Sequence, residues 1–379
     1  MWLVPALRFP EFTGEWKEER LDEIAELSKG VGISKEQLSE DGEPCILYGE
    51  LYTKYKSEII HKVISKTNIE SSNLKHSKRN DVIIPCSGET AIDIAVARCV
   101  PFDNILLGGD LNIIRLHKDD GAFMAYQLNG KRKIDIAKLA QGVSVVHLYG
   151  DNIKAIKTYN PCLQEQQKIV KLLSMLDERM ELQNKIIEDL RLLRDAISVC
   201  LLSPKSDWKC YKVSEIADIG RGRVISSKEI ANQNNPQYPV YSSQTSNEGI
   251  MGYLDNYAFD GEYITWTTDG ANAGTVFYRN GRFNCTNVCG TLKLHYQFDA
   301  YYCSLVLANA TKKYVSVNLA NPKLMNNTMA AIKLYLPPFQ EQKRMAQLFR
   351  KMDENITLEH KLLLSYQKQK HYLLQQMFI

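Results

Sequence analysis

The sequence has no run approaching the roughly 18–20 consecutive apolar residues that would cross a bilayer. Its opening, Met1-Trp-Leu-Val-Pro-Ala-Leu-Arg8, brings in charge too early and is too short an apolar stretch for a secretory leader. Cysteine offers no framework. The nine residues (Cys45, Cys86, Cys99, Cys162, Cys200, Cys210, Cys285, Cys289 and Cys303) are odd in number, scattered, and include no C-x-x-C pair. Free thiols in a reducing cytosol are the expectation. Charge of one sign is lacking too: 47 Lys and Arg against 44 Asp and Glu leave +3. Residues 1–160 carry −2, 161–207 carry −1, and 208–337 and 338–379 carry +3 each. A polyanion partner would therefore have to be met by local patches, not by overall charge.

The sequence also lacks the usual catalytic signatures. No G-x-x-x-x-G-K-[ST] phosphate loop and no G-x-G-x-x-G turn occurs, which argues against nucleotide hydrolysis. The Asp/Asn-Pro-Pro-Tyr/Phe pattern of adenine methylation is missing. Asn235-Pro-Gln-Tyr238 lacks the second proline and reads as a surface turn. Cys285-x-x-x-Cys289 with His295 and Cys303 has the wrong spacing for a structural zinc site. No H-E-x-x-H is present. What remains is a chain of 379 residues, 44% apolar and 24% charged, with enough apolar material for two or three cores and too much for wholesale disorder.

What the sequence does contain is a repeat. Ile169, Leu172, Leu173, Leu176, Met180, Ile187, Leu190, Ile197 and Leu201 fall on helical steps close to a heptad seam. Adding 176 to each gives Met345, Leu348, Phe349, Met352, Ile356, Leu363, Tyr366, Leu373 and Met377. The polar positions agree as well: Gln164-Glu165-Gln166 with Gln340-Glu341-Gln342, Asp177-Glu178 with Asp353-Glu354, Lys185 with Lys361, Pro161 with Pro337. Two helices are predicted, over about 164–202 and 340–378. Upstream, the segment from Trp16 to Gly30, with Ile24-Ala25, is echoed by Trp208 to Gly222, with Ile216-Ala217, at an offset of 192. Trp16 and Trp208 read as core anchors. The middles differ in length and largely in sequence. They read as mixed α/β, with short buried strands near Asp81-Val-Ile-Ile-Pro85, Asp110 to Leu116, Glu262 to Thr268, Gly274 to Tyr278 and Gly290 to Leu294.

Each predicted helix, about 39 residues or ~60 Å, far exceeds the usual ~11–12 residues. Its apolar seam needs a cover, and the other copy is the obvious one. Core helices of a larger fold, or a coiled coil between separate chains, are the alternatives. The expected fold is two mixed α/β (α+β) domains in tandem, joined by two long antiparallel coiled-coil helices in a pseudo-two-fold internal repeat. The expected divisions are 1–160, 161–203, 204–336 and 337–379. Gln183 and Arg194 in the first seam, and Glu359 and Lys370 in the second, are polar interruptions that could mark partner contacts.

These residues resemble the DNA-specificity subunits of type I restriction-modification systems. Val4-Pro-Ala-Leu-Arg-Phe-Pro-Glu-Phe12 followed by Trp16 is similar to that family's N-terminus. Pro-x-x-Gln-Glu-Gln at the head of a long helix is similar to its spacer regions, and Tyr238-Pro-Val-Tyr241-Ser-Ser-Gln-Thr245 with Gly249-Ile-Met-Gly252 to its recognition loops. The resemblance covers essentially the whole chain. It implies two target recognition domains, each reading half of a bipartite sequence in double-stranded DNA, and helices that set the unread gap. It implies a non-catalytic subunit of a bacterial or archaeal cytoplasm, with no cofactor of its own. Its partners would be modification subunits, two of them, using S-adenosylmethionine, and restriction subunits using ATP and magnesium.

Within that reading, phosphate contacts position and base contacts specify. The basic candidates are Lys54, Lys56, Lys78 and Arg79 (beside Lys75), Arg221, Arg223, Lys312 and Lys313, with Lys131-Arg132-Lys133 as a further patch. Side chains that can both donate and accept in the major groove occur at Tyr48, Ser87 and Thr90 in the first domain, and at Ser242, Ser243, Gln244, Thr245, Thr267, Thr268 and Asn272 in the second. Two other readings stay open: a self-contained DNA-modifying enzyme, and a coiled-coil scaffold that does not touch DNA.

Overall fold

A computed structural model of the chain describes residues 3–316 and 321–379. Met1 and Trp2, which open the segment read against a leader, lie outside the described residues. The long helices are there, Leu163–Leu202 and Phe339–Gln376. The chain divides into two compact units: Met1–Ile186 with Glu359–Ile379, and Ile187–Leu358. Each unit therefore holds one globular segment and one part of each long helix.

In the first unit a four-stranded antiparallel sheet runs in the order Ala25–Lys29, Leu111–Leu116, Asp81–Pro85, Arg98–Val100. The run Val82-Ile83-Ile84 has no polar alternation because both faces of the sheet are covered. Val82 and Ile84 pack with Met124, Ala125 and Leu128 of the helix Gly121–Asn129. Ile83 packs on the other side with Ile46 and Leu107. Those two residues belong to a smaller sheet in which Leu106–Leu107 pairs parallel with Glu43–Ile46, and Glu43–Ile46 pairs antiparallel with Ser65–Thr67.

The second unit repeats this plan. Its four-stranded sheet runs Ala217–Arg221, Cys289–Leu294, Tyr263–Thr267, Val276–Arg279. The register is the same: Leu116 faces Ala25 and Ile114 faces Val82, as Leu294 faces Ala217 and Leu292 faces Ile264. A parallel pair, Tyr238–Tyr241 with Asn284–Cys285, and an antiparallel one with Ile250–Leu254, reproduce the central three of the five strands of the smaller sheet. The middles, which look unrelated in sequence, thus share the strand order and pairing of the four-stranded sheet and of three strands beside it. Length is absorbed in the connections: residues 47–64 in the first unit do the work of 242–249 in the second.

The repeated Pro-x-x-Gln-Glu-Gln has a definite job. Gln166 Nε2 donates to the Pro161 carbonyl at 3.0 Å, and its Oε1 accepts from the Asp120 backbone at 2.8 Å. Gln342 does the same with Pro337 (2.8 Å) and Asp299 (3.1 Å). Asp120 and Asp299 are the N-caps of the helices Gly121–Asn129 and Ala300–Ala310. One buried amide therefore latches each long helix to the first turn of its domain's core helix. Gln166→Ala and Gln342→Ala should each cost about 1–3 kcal/mol, since each leaves a buried carbonyl and a half-buried N–H without its partner. A thermal melt indistinguishable from the parent would contradict this.

Glu165, next to the first latch, accepts from Arg8 through both oxygens at 2.7 Å and from the Trp16 indole at 3.3 Å. Trp16 and Trp208 are both buried, as anchors should be. The second copy is less complete: Lys205 approaches Glu341 only at 3.8 Å, and Trp208 Nε1 has no hydrogen-bond partner among the described residues.

The polar interruptions of the seams are met by polar residues of the opposite helix. Gln183 Nε2 donates to Glu359 Oε2 at 2.5 Å, and Lys370 Nζ lies 2.5 Å from Asp177 Oδ1. In the second unit Arg194 Nε lies 2.5 Å from Asp353 Oδ1. Within each unit, numbers rise along one helix as they fall along the other, so the strands of the coil are antiparallel. Apolar packing accompanies the contacts: Ile169 and Leu173 with Leu374 and Met377 in the first unit, Ile197, Leu201 and Leu202 with Met345, Phe349 and Met352 in the second. Gln183, Arg194, Glu359 and Lys370, which could mark partner contacts, each meet a polar residue of the same chain. Leu172 and Leu348, counted into the stripes from sequence, are instead exposed.

Candidate nucleic-acid interface

In the second unit one end of the four-stranded sheet faces the long helix. There Asp299 meets Gln342, and Arg350 meets Glu262 at 3.5 Å. The loops at the other end gather most of the candidates. Arg221, closing its strand, donates to the Asn287 carbonyl at 2.6 Å and to Thr268 Oγ1 at 2.9 Å. Asn272 Nδ2 reaches the Ser243 carbonyl at 3.3 Å. Arg223 pairs with Thr286 in a parallel bridge, and its guanidinium is held by Glu229, which raises its pKa. Thr311 donates to the Gly274 carbonyl at 2.8 Å, which brings Lys312 and Lys313, both exposed, beside the same loops. Ser242, Ser243 and Gln244 are half-buried and Thr245 is exposed.

Thr267 and Thr268 need correcting. They are 1% and 0% exposed. Thr267 closes, and Thr268 follows, a strand whose side chains are covered on each face, so neither hydroxyl can touch a base as the loop stands. Ser87 in the first unit is 5% exposed and donates to Asp110 at 3.2 Å, and is corrected on the same ground. The first unit's candidates are also split in space. Tyr48 and Thr90 lie at the end of the sheet equivalent to the gathered loops, where Thr90 caps the short helix Ala91–Ile94. Lys78 and Arg79 precede Asp81–Pro85 and sit at the opposite end. Lys56 donates to the Thr53 carbonyl at 3.0 Å, and Lys54 is bound to Glu50 at 2.6 Å and Ser65 at 3.2 Å. Arg132, in the 131–133 patch, is drawn to the Ile379 carbonyl at 3.0 Å.

Lys29 is a residue the sequence reading passed over. It ends Ala25–Lys29 as Arg221 ends Ala217–Arg221, and the 192-residue echo already aligned them. Its ammonium lies 5.9 Å from the Tyr149 ring, which stacks on His147. Arg279 is another. It is buried, which lowers its pKa, and it lies between the Tyr241 ring at 3.6 Å and the Phe277 ring at 4.4 Å. It donates to the Glu248 carbonyl at 2.6 Å. That carbonyl belongs to three successive left-handed residues, Asn247, Glu248 and Gly249 (φ 49°, 53° and 84°). Non-glycine residues enter that region at a cost, and Arg279 holds them there. Arg279→Met should loosen 242–249 and reduce discrimination of one half-sequence alone; unchanged discrimination in a folded variant would refute this role. Nothing in the sequence distinguishes Arg279 from an exposed arginine.

Comparison with known proteins decides the family. The type I restriction modification DNA specificity domain matches twice, over residues 13–192 and 205–365. The chain belongs to the type I restriction-modification DNA specificity family. Members of this family are non-catalytic specificity subunits. A putative type I specificity subunit (N-terminus) of Mycoplasma pneumoniae is 46% identical over 140 residues, covering 36% of this chain and 74% of that one. Another from the same organism is 37% identical over 192 residues, 50% of this chain and 79% of that one. The fold is that of the type I restriction-modification S subunit from M. genitalium, with TM-score 0.68 and 99% of both chains covered at 19% identity. Among the described residues of this specificity subunit no helix is long and apolar enough to cross a membrane, and no three His, Cys, Asp or Glu side chains are placed to hold a metal ion.

Proposed function

We propose that this specificity subunit reads a bipartite sequence in double-stranded DNA, one half with each globular segment, 1–160 and 204–336. The helical segments 161–203 and 337–379 set the gap between the halves. The observation that carries the reading is one framework built twice, in identical sheet register, with different loops at the same end. A shared scaffold with unlike loops suits two readers of unlike sequence. The contacts proposed for the second half are Arg221, Arg223, Ser242, Ser243, Gln244, Thr245, Asn272, Lys312 and Lys313, and for the first Tyr48, Thr90 and Lys29. Lys54, Lys56, Lys78 and Arg79 remain candidates for phosphates farther from the reading loops.

A second apolar stripe suits partner docking. Leu172, Met175, Leu182 and Ile186 lie exposed at helical spacing on the first long helix, and Leu348, Leu358 and Leu362 on the second. Leu172, Leu182 and Ile186 become the latter three on adding 176. Two equivalent stripes fit two copies of one partner, the modification subunit. Those subunits would bring S-adenosylmethionine, and restriction subunits ATP and magnesium, in a bacterial or archaeal cytoplasm.

Selection from a random DNA library with the full chain should recover two fixed half-sequences at one separation, with affinity falling steeply as salt rises. A contiguous site, or no preference, would sink the reading. Exchanging 242–249 for another loop should change one half-sequence and leave the other.

A further inference from the structure

Asp177 and Asp353 are equivalent positions in the two long helices, and both are held in the same way. Asp177 accepts from the Tyr126 hydroxyl at 2.7 Å and from Lys370 of the other long helix at 2.5 Å. Asp353 accepts from the Tyr301 hydroxyl and from Arg194 of the other long helix at 2.5 Å. Lys370 and Arg194 are themselves equivalent, since 194 + 176 = 370. In each unit, then, a carboxylate of one long helix, a cation of the other and a tyrosine of the globular segment meet at one point. The first cluster is buried and includes Glu58, 2.5 Å from Lys370. The second is half-buried and is backed by Phe349, whose ring lies 5.8 Å from the Arg194 guanidinium.

The two clusters are spaced alike on both helices. Arg194 follows Asp177 by 17 residues (194 − 177), and Lys370 follows Asp353 by 17 (370 − 353). Apolar seams tolerate a slip of one turn, because leucine can replace leucine; a charged pair cannot. Slipping by three or four residues would set Asp177 against Tyr366, Gln367, Leu373 or Leu374, and Arg194 against Phe349, Arg350, Ile356 or Thr357. None of these carries the required opposite charge.

We infer that these two ion-pair clusters, not the helix ends, define the ruler: they lock the helix pair in register against each reader and so fix the gap to a single length. The inference rests on the function proposed above and names its spacing determinants. One turn of slip is ~5.4 Å of helix axis, more than one base-pair step of about 3.4 Å, so lost registry is readable as altered gap preference.

The test uses the full chain and DNA carrying both selected half-sequences at varied separations. The parent should bind one separation. The double variant Arg194→Gln with Asp353→Asn, checked for folding by circular dichroism, should bind neighbouring separations within roughly tenfold of the native one. Both half-sequences should stay unchanged. The reversed pair, Arg194→Asp with Asp353→Arg, should restore the single separation. Asp353→Asn alone, which removes the carboxylate charge that Arg194 meets, gives the readout if the neutral double variant does not fold. A folded neutral variant that discriminates separations like the parent overturns the inference. So does a parent-like Asp353→Asn where the double variant is unfolded. If the parent selects no two-part site, the functional reading fails first and takes this inference with it.

Discussion

Lys370→Met is expected to destabilise the chain by about 3–5 kcal/mol, because it strips the cation from two buried carboxylates at once. Asp177 and Glu58 both reach Lys370 at 2.5 Å, and all three residues are buried. Burial pushes Glu58 up, but the charge and hydrogen bond of Lys370 bring it below its ordinary value. Burial also pushes Asp177 up; Lys370 opposes this, Glu58 adds to it, and the carboxyl stays raised. The signs differ accordingly. Glu58, depressed in the fold, contributes stability above its unfolded pKa that is lost as pH falls through its folded value. Asp177, raised, is a liability that protonation relieves. Without Lys370 both carboxylates lose the cation they contact, the Arg98 guanidinium being the positive charge that remains, and acid should relieve both. The deficit of Lys370→Met is therefore expected to be largest near neutrality and to shrink as pH falls into the ordinary carboxylate range. Thermal melts over that range, with exposed Lys368→Met as a control within about 0.5 kcal/mol of the parent, measure it. A deficit that grows with acid would contradict the assignment.

Seven residues inserted between the clusters of both helices should lengthen the preferred gap by about three base pairs, since a heptad adds ~10.5 Å of helix against about 3.4 Å per step. Stability should be nearly unchanged, because all the paired charges keep their partners. The same insertion in the first helix alone should also alter the gap. There, however, the cluster spacing becomes unequal on the two helices, and one set of charges is left unpaired. The single insertion should thus melt earlier, by a deficit comparable to that of Lys370→Met. Half-sequence selection and melting, run on the same proteins, separate the two effects. An unchanged gap with altered half-sequences would refute the ruler.

The long helices were legible from sequence because a heptad-like stripe is a local signal, and a shared offset of 176 ties the two copies together. The strands near Val82, Ile264 and Leu292 were legible for the same reason: short β-rich runs between glycines. The likeness of the middles was not. Sheet register is carried by pairs such as Ile114 with Val82 and Leu292 with Ile264, and any apolar pair of suitable size satisfies it. Recognition candidates fared unevenly. A polar loop residue looks the same in sequence whether it is exposed like Thr245 or sealed like Thr268.

The sequence alone determined that this protein is a duplicated chain of two mixed α/β segments and two matched long helices, because periodicity and repetition are properties of order along the chain. Tertiary structure decided which charges are partners, which hydroxyls are buried and which loops share an end of a sheet. Those depend on contacts between residues far apart in the chain, such as Glu58 with Lys370, and on the low-dielectric surroundings that make such contacts count.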